Sequence, residues 1–156
     1  MKTVIIFGGS GFVGKHIIRR IAKHGYKIII PHQRGINEAK LRLLGDTGQI
    51  IPLYFNTLTD RNIVNIISKS NLIINLKTLW DENKLTYEKG IYGFNKELVE
   101  IIKETKKNIQ YVYFSGIGVD EYSTSIRSNF IFKTEKYIHD NLINSVIIRP
   151  GIIIGG

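Results

Sequence analysis

The chain predicts an α/β fold, a three-layer arrangement in which a doubly wound parallel sheet of about six strands is covered by helices on both faces. Three observations predict it. Short β-branched apolar runs alternate with amphipathic helical stretches along the whole sequence. The first such run leads through a glycine turn straight into a helical pattern. No internal repeat, low-complexity segment or linker divides the 156 residues, so residues 1–156 read as one domain.

The elements follow in order. Thr3 to Phe7 is the first strand, and Gly8-Gly9-Ser10-Gly11-Phe12-Val13-Gly14 is the turn behind it. Val13, Ile17, Ile18 and Ile21 put one apolar stripe on the first helix, which Gly25 ends. Lys27 to Ile30 is the second strand, with Pro31 as its stop. Ala39 to Leu44 is a short helical piece. Gln49 to Phe55 is the third strand, and Pro52 marks it as irregular or at the sheet edge. Asp60 is placed to cap a helix carrying Ile63, Ile66 and Ile67. Leu72 to Leu76 is the fourth strand, and Ile91, Phe94, Leu98, Ile101 and Ile102 mark a long helix. Gln110 to Ser115, a helix over 129–140, and Ser145 to Arg149 complete the pattern. Parallel strands joined this way need right-handed crossovers.

Composition removes several function classes. There are no cysteines, so disulfide frameworks and cysteine metal sites are excluded, and the four histidines show no metal-ligand spacing. A cysteine-free chain suits a reducing cytoplasm. Only Lys2 precedes the first strand, which gives no signal-peptide pattern, and no apolar stretch reaches the ~20 residues of a membrane span. The net charge is +9, but the basic residues are scattered and no nucleic-acid motif accompanies them, so a solvated basic surface is expected rather than a nucleic-acid partner.

The glycine turn carries the chemistry. One glycine reverses the chain tightly, another lets the backbone approach a pyrophosphate, and a third lets the helix pack close to the strand. Free amides at the helix start, together with the helix dipole, favour phosphate. Gly9-x-Gly11-x-x-Gly14 fits the dinucleotide pattern, and Gly-Lys-Ser/Thr, the P-loop signature, is missing. The expected cradle is Gly8, Ser10, Gly11, Phe12, Val13 and Gly14, on a Rossmann fold that binds NAD(P).

Gly8-x-x-Gly11-x-x-Gly14 is also the spacing of extended and atypical short-chain dehydrogenases/reductases. With Leu44-Gly-Asp-Thr-Gly-Gln-Ile50, Asn75-Leu76, Ser115-Gly-Ile-Gly118 and Arg149-Pro-Gly151, the chain resembles that family. It is most similar to the NAD-dependent epimerase/dehydratase-like group around the accessory alpha-subcomplex subunit nine of respiratory complex I. The resemblance covers the whole chain, and the chain covers about half the family's usual length. It implies that the C-terminal, substrate-binding part lies outside these residues. A complex I partner, or a chain supplying that half, is implied, as is a cytoplasmic protein or one peripheral at the inner membrane.

An NAD enzyme usually carries an acid about 20 residues after the turn, on the ribose hydroxyl. Here Pro31-His32-Gln33-Arg34 has none. Arg34 is suited to a 2′-phosphate, with His32 or Gln33 adding a hydrogen bond, so NADP(H) is favoured over NAD(H), which the segment still admits. By resemblance, Asn56 takes an adenine-contact position and Asn75 and Leu76 flank the nicotinamide ribose.

The same resemblance implies a Tyr-x-x-x-Lys pair and a serine after the fifth strand. Ser115 fits the serine, and Lys133 fits the lysine that also holds the ribose. Four residues before it stands Asn129, whose amide does not titrate near neutral pH. The implied acid/base mechanism therefore lacks its proton donor. The expectation is a cofactor-binding protein with weak or no catalysis. The alternative is an active NAD(P)-dependent oxidoreductase or epimerase on a carbonyl or nucleotide-sugar substrate.

Overall fold

The computed structural model describes residues 2–33 and 35–155. Six strands form one all-parallel sheet: β1 (Thr3–Phe7), β2 (Lys27–His32), β3 (Ile50–Tyr54), β4 (Leu72–Asn75), β5 (Gln110–Phe114) and β6 (Ser145–Ile148). Their spatial order is β3-β2-β1-β4-β5-β6. The chain winds outward from β1 in one direction, returns, and winds outward in the other. The reversal leaves a crevice beyond the carboxyl ends of β1 and β4, where sheets of this kind bind ligands.

Alternation along the strands builds two cores. Val4 and Ile6 of β1, with Ile28 and Ile30 of β2, pack against Ile18 and Ala22 of α1 (Phe12–Ala22) and Leu41 of α2 (Glu38–Arg42). Ile5, Phe7 and Ile29 point to the other face. There they meet Ile63 and Ile67 of α3 (Arg61–Ser68), Leu98 and Ile102 of α4 (Phe94–Glu104), and Ile131 and Ile138 of α5 (Ile126–Asn141). Each fully buried isoleucine contributes roughly 1.5–3 kcal/mol, so the central strands dominate the stability.

Four local expectations need correction. β2 does not stop at Ile30: it runs through Pro31 to His32, paired with Leu53 and Tyr54. Lys27 N donates to Lys2 O and Phe55 N to His32 O, so odd-numbered residues of β2 face β1 and even-numbered ones face β3. The missing N–H of Pro31 therefore faces a ladder with β1 that ends at Ile29, and costs nothing. The same parity turns Pro52 toward the open side of β3, the edge position its sequence suggests.

Asp60 precedes α3 but makes no cap bond to it. Its carboxylate faces back and accepts from Asn56 N at 2.8 Å, Thr57 N at 3.3 Å and Thr57 Oγ1 at 2.9 Å, closing the turn after β3. Those bonds hold its pKa below the usual carboxylate range. The long helix expected from Ile91 begins as α4 only at Phe94, because a π-helical turn, Glu88–Gly93, takes its first positions, and α5 starts three residues earlier than expected, capped by Ser125 Oγ.

The Gly-Asp-Thr-Gly-Gln run proves to be a fastening. Gln49 is buried, donates to Ala22 O at 2.8 Å and Tyr26 O at 2.9 Å, and accepts from Asp46 N at 3.0 Å. It ties the end of α1 to the start of β3. Arg149 likewise forks onto the Glu135 carboxylate of α5, with Nε to Oε1 at 2.9 Å.

Candidate functional site

The glycine turn sits at the mouth of the crevice. Gly8 has φ +75°, a conformation that any side chain would strain, and a Cβ there would meet Leu76 C at 3.0 Å and Lys77 N at 3.1 Å. A Cβ on Gly14 would stand 2.5 Å from Gly9 O and 2.6 Å from Gly9 C. The third glycine is therefore what lets α1 seat directly on the turn. Gly11 caps α1 without a side-chain bond, and the first turn of the helix has no acidic residue. The first helical bond begins at Lys15 N, so among the described residues the amides of Phe12, Val13 and Gly14 meet no protein acceptor. They form an uncapped positive pole suited to an anion.

A pocket of about 280 Å³ opens at the carboxyl ends of β2, β3 and β4. Gln33, Asn56, Thr57, Lys77, Phe94 and Glu97 are among its walls. Two expected contacts, Gln33 and Asn56, therefore share one space. Asn56 is exposed and accepts from Tyr54 OH at 2.5 Å. His32 is nearly buried and already engaged, with Nδ1 at 2.9 Å from Gln33 O and Nε2 at 3.0 Å from Glu38 Oε1. Glu38, delivered by the next helix, is shared between His32 and Arg42, the latter at 2.9 Å. Arg34 lies outside the described residues.

Asn75 is fully buried. Its amide donates to Asn95 Oδ1 at 2.8 Å and Tyr111 OH at 3.1 Å, and its oxygen accepts from Lys77 N at 3.0 Å. Burial pushes the Tyr111 phenol well above its ordinary pKa, so the network stays neutral. The side chain of Asn75 thus braces the end of β4 from inside, and Leu76 N holds Phe7 O at 2.9 Å beside it.

At the end of β5, Ser115 Oγ is buried and has no hydrogen-bond partner among the described residues, which is uncommon for a buried hydroxyl. Asn129 and Lys133 are both exposed on α5, and Lys133 Nζ lies 4.2 Å over the Tyr92 ring of the π-helical turn. The α5 side chain that reaches the loop after β4 is Arg127. Its Nε donates to Leu79 O at 2.7 Å, its Nη2 to Thr78 Oγ1 at 2.9 Å, and it stacks on Trp80 at 4.2 Å. On this face of α5 the four-residue step from Arg127 leads to buried Ile131, so the 129/133 pair is turned aside from it. Sequence reasoning missed Arg127, Lys77 and Glu38, because each acquires its place through a tertiary contact.

Among the described residues no group of His, Asp or Glu could hold a metal ion, and no helix is long and apolar enough to cross a membrane.

Comparison with known proteins agrees with this fold. The profile of the NAD dependent epimerase/dehydratase family matches residues 4–140. The chain is 26% identical over 152 residues to NADH dehydrogenase (ubiquinone) 1 alpha subcomplex subunit 9, mitochondrial, of Arabidopsis thaliana, covering 96% of this chain and 38% of that protein. Among solved structures, Gre2 of Candida albicans in complex with NADPH superposes with a TM-score of 0.79 at 14% identity, covering 99% of this chain and 59% of that one. The Bordetella bronchiseptica enzyme WbmH in complex with NAD+ gives 0.69 at 19% identity, covering 96% and 55%. These structures share the Rossmann-like fold. The chain spans about two fifths of the length of the curated relatives it matches, less than the half its motifs suggest.

Proposed function

The chain belongs to the NAD dependent epimerase/dehydratase family, and from that premise we propose that it binds a nicotinamide dinucleotide with little or no redox chemistry of its own. The observation that carries the reading is the uncapped start of α1, seated on Gly9 through Gly14 and presenting free amides beside the sheet's switch point. The diphosphate lies over Gly8 to Gly14, and the adenosine end enters the pocket between Gln33 and Asn56. NADP(H) is preferred, because Arg34 follows β2 and the nearby carboxylate, Glu38, is engaged by His32 and Arg42.

Weak catalysis follows from α5. Neither Arg127, which faces the β4 loop, nor Asn129 offers a phenol that could pass a proton. The relationship to an alpha-subcomplex subunit 9 supports a parallel role, as a nucleotide-holding accessory protein with respiratory complex I as its partner and a peripheral place at the membrane. One observation favours the second reading, an active oxidoreductase or epimerase: the Ser115 hydroxyl, buried at the end of β5, has no hydrogen-bond partner among the described residues. That reading requires turnover of a carbonyl or nucleotide-sugar substrate. If turnover is found and survives Lys133→Ala, Lys133 has no part in it.

Thermal melting tests the main reading. A ligand at 100 times its Kd stabilises the native state by about 2.7 kcal/mol. At about 2–4 °C per kcal/mol for a domain of this size, saturating NADPH raises the Tm by roughly 5–10 °C. NADH gives a smaller rise. No shift with either cofactor refutes the reading.

A further inference from the structure

The pocket at the ends of β2, β3 and β4 has one basic side chain among its described walls, Lys77. Its main-chain nitrogen lies 3.1 Å from where a Cβ of Gly8 would stand, so the residue is anchored against the glycine turn. It also donates that N–H to the buried Asn75 oxygen at 3.0 Å, which fixes the backbone from which the side chain departs. The ammonium rests 4.2 Å over the Phe94 ring and pairs with no carboxylate among the described residues. Glu97, one turn further along α4, lines the same pocket without closing an ion pair. Burial pushes the Lys77 pKa down, as expected for a cation that lacks an anionic partner.

An ammonium on an aromatic face is weakly held compared with one on a phosphate oxygen. Lys77 thus leaves a backbone set against the glycine turn and lines the pocket. We infer that Lys77 is a phosphate-binding residue of this site: its ammonium leaves the Phe94 face to pair with a phosphate oxygen at the adenosine end of the nucleotide. The inference rests on the dinucleotide reading above. It adds a charge that the glycine pattern does not encode. Two phosphates offer the same chemistry there, the one esterified at the 5′ position and the one at the 2′ position of the ribose.

Binding of adenosine, 5′-AMP and 2′,5′-ADP to the wild-type chain and to Lys77→Met separates these sources. Titration calorimetry reads the nucleotides, and ligand-observed NMR reads the weaker adenosine. The expected result is a loss of about tenfold for phosphate-bearing ligands, from removal of one charge-assisted bond, with adenosine unchanged. A loss for both nucleotides places the contact at the 5′-phosphate, and a loss for 2′,5′-ADP alone places it at the 2′-phosphate. Lys77→Arg retains the phosphate-dependent part. Equal losses for all three ligands mean that Lys77 merely supports the pocket wall, and no loss means that it takes no part; either overturns the inference. Should Lys77→Met fail to fold, Lys77→Gln replaces it. Failure of the wild type to bind any of the three overturns the dinucleotide reading instead.

Discussion

Replacing Gly14 by alanine separates packing from binding. The added Cβ would lie 2.5 Å from Gly9 O and 2.6 Å from both Gly9 C and Gly9 Cα. All three obstacles are backbone, so no rotamer change relieves the clash and α1 must lift away from the turn. Forced overpacking of this kind costs typically 1–3 kcal/mol. With backbone alone to yield, the upper half of that range applies. Alanine recovers about 1 kcal/mol of helix propensity over glycine. The net loss is then about 1–2 kcal/mol, or a fall in Tm of roughly 2–8 °C at 2–4 °C per kcal/mol. Gly11→Ala is the control. Its Cβ meets only Gly8 O, at 3.4 Å, and Gly11 has ordinary extended dihedrals of −73° and 176°. That variant costs about 1 kcal/mol at most, as a poorer N-cap, yet puts a methyl group on the face offered to the phosphates. Differential scanning fluorimetry with and without NADPH reads both effects. Gly14→Ala is expected to lower the Tm of the free protein more than Gly11→Ala, while Gly11→Ala abolishes the cofactor-induced rise. A Gly14→Ala protein as stable as wild type would refute the close-packing argument.

Other consequences concern the fastenings and their charges. Gln49→Leu removes the buried bond to Ala22 O, which keeps Gly25 N at 3.0 Å, and the half-buried bonds to Tyr26 O and from Asp46 N, and should cost about 1–3 kcal/mol in urea unfolding, at about 1 kcal/mol per lost bond. Glu100 accepts from Tyr137 OH at 2.5 Å and Lys103 Nζ at 3.2 Å, and these bonds hold its carboxyl below the usual pKa of 4.5. A carboxyl with a lowered folded pKa stabilises fully above its unfolded pKa, and that contribution is lost as the pH falls through the folded one. Glu100→Gln should therefore destabilise at pH 7 and converge with wild type as the pH falls below the carboxyl's lowered folded pKa, measured by unfolding at each pH. The same bond raises the Tyr137 phenol to about 12, so the pair's contribution fades again as the pH rises from 10 to 12.

The alternating strands and helices were legible because periods of 2 and 3.6 are local, and β1, its turn and α1 carry their ligand signal in twelve consecutive residues. Pro31 misled because a missing N–H matters only where a neighbouring strand would accept it, and β1 has ended by then. Asp60 misled because one carboxylate can serve either the helix ahead or the turn behind, and Asn56 and Thr57 won it. The register of α5 was harder still. Phe130, Phe132 and Tyr137 spread apolar surface around the helix, so no stripe announces which face meets the sheet. Lys77 and Glu38 were illegible for a different reason: their roles depend on Phe94 and His32, brought near by folding. The run around Gln49 is one of those that carry the family resemblance, and its hydrogen bonds to Ala22 O and Tyr26 O show that it fastens the fold.

The amides at the head of α1 can be watched individually. In a 15N–1H correlation spectrum titrated with NADPH, the account predicts saturable shifts concentrated at Gly8 to Gly14, with a second group at Asn56 and Lys77. A spectrum in which those amides stay still at millimolar NADPH, or in which the shifts gather on another face of the sheet, would contradict it.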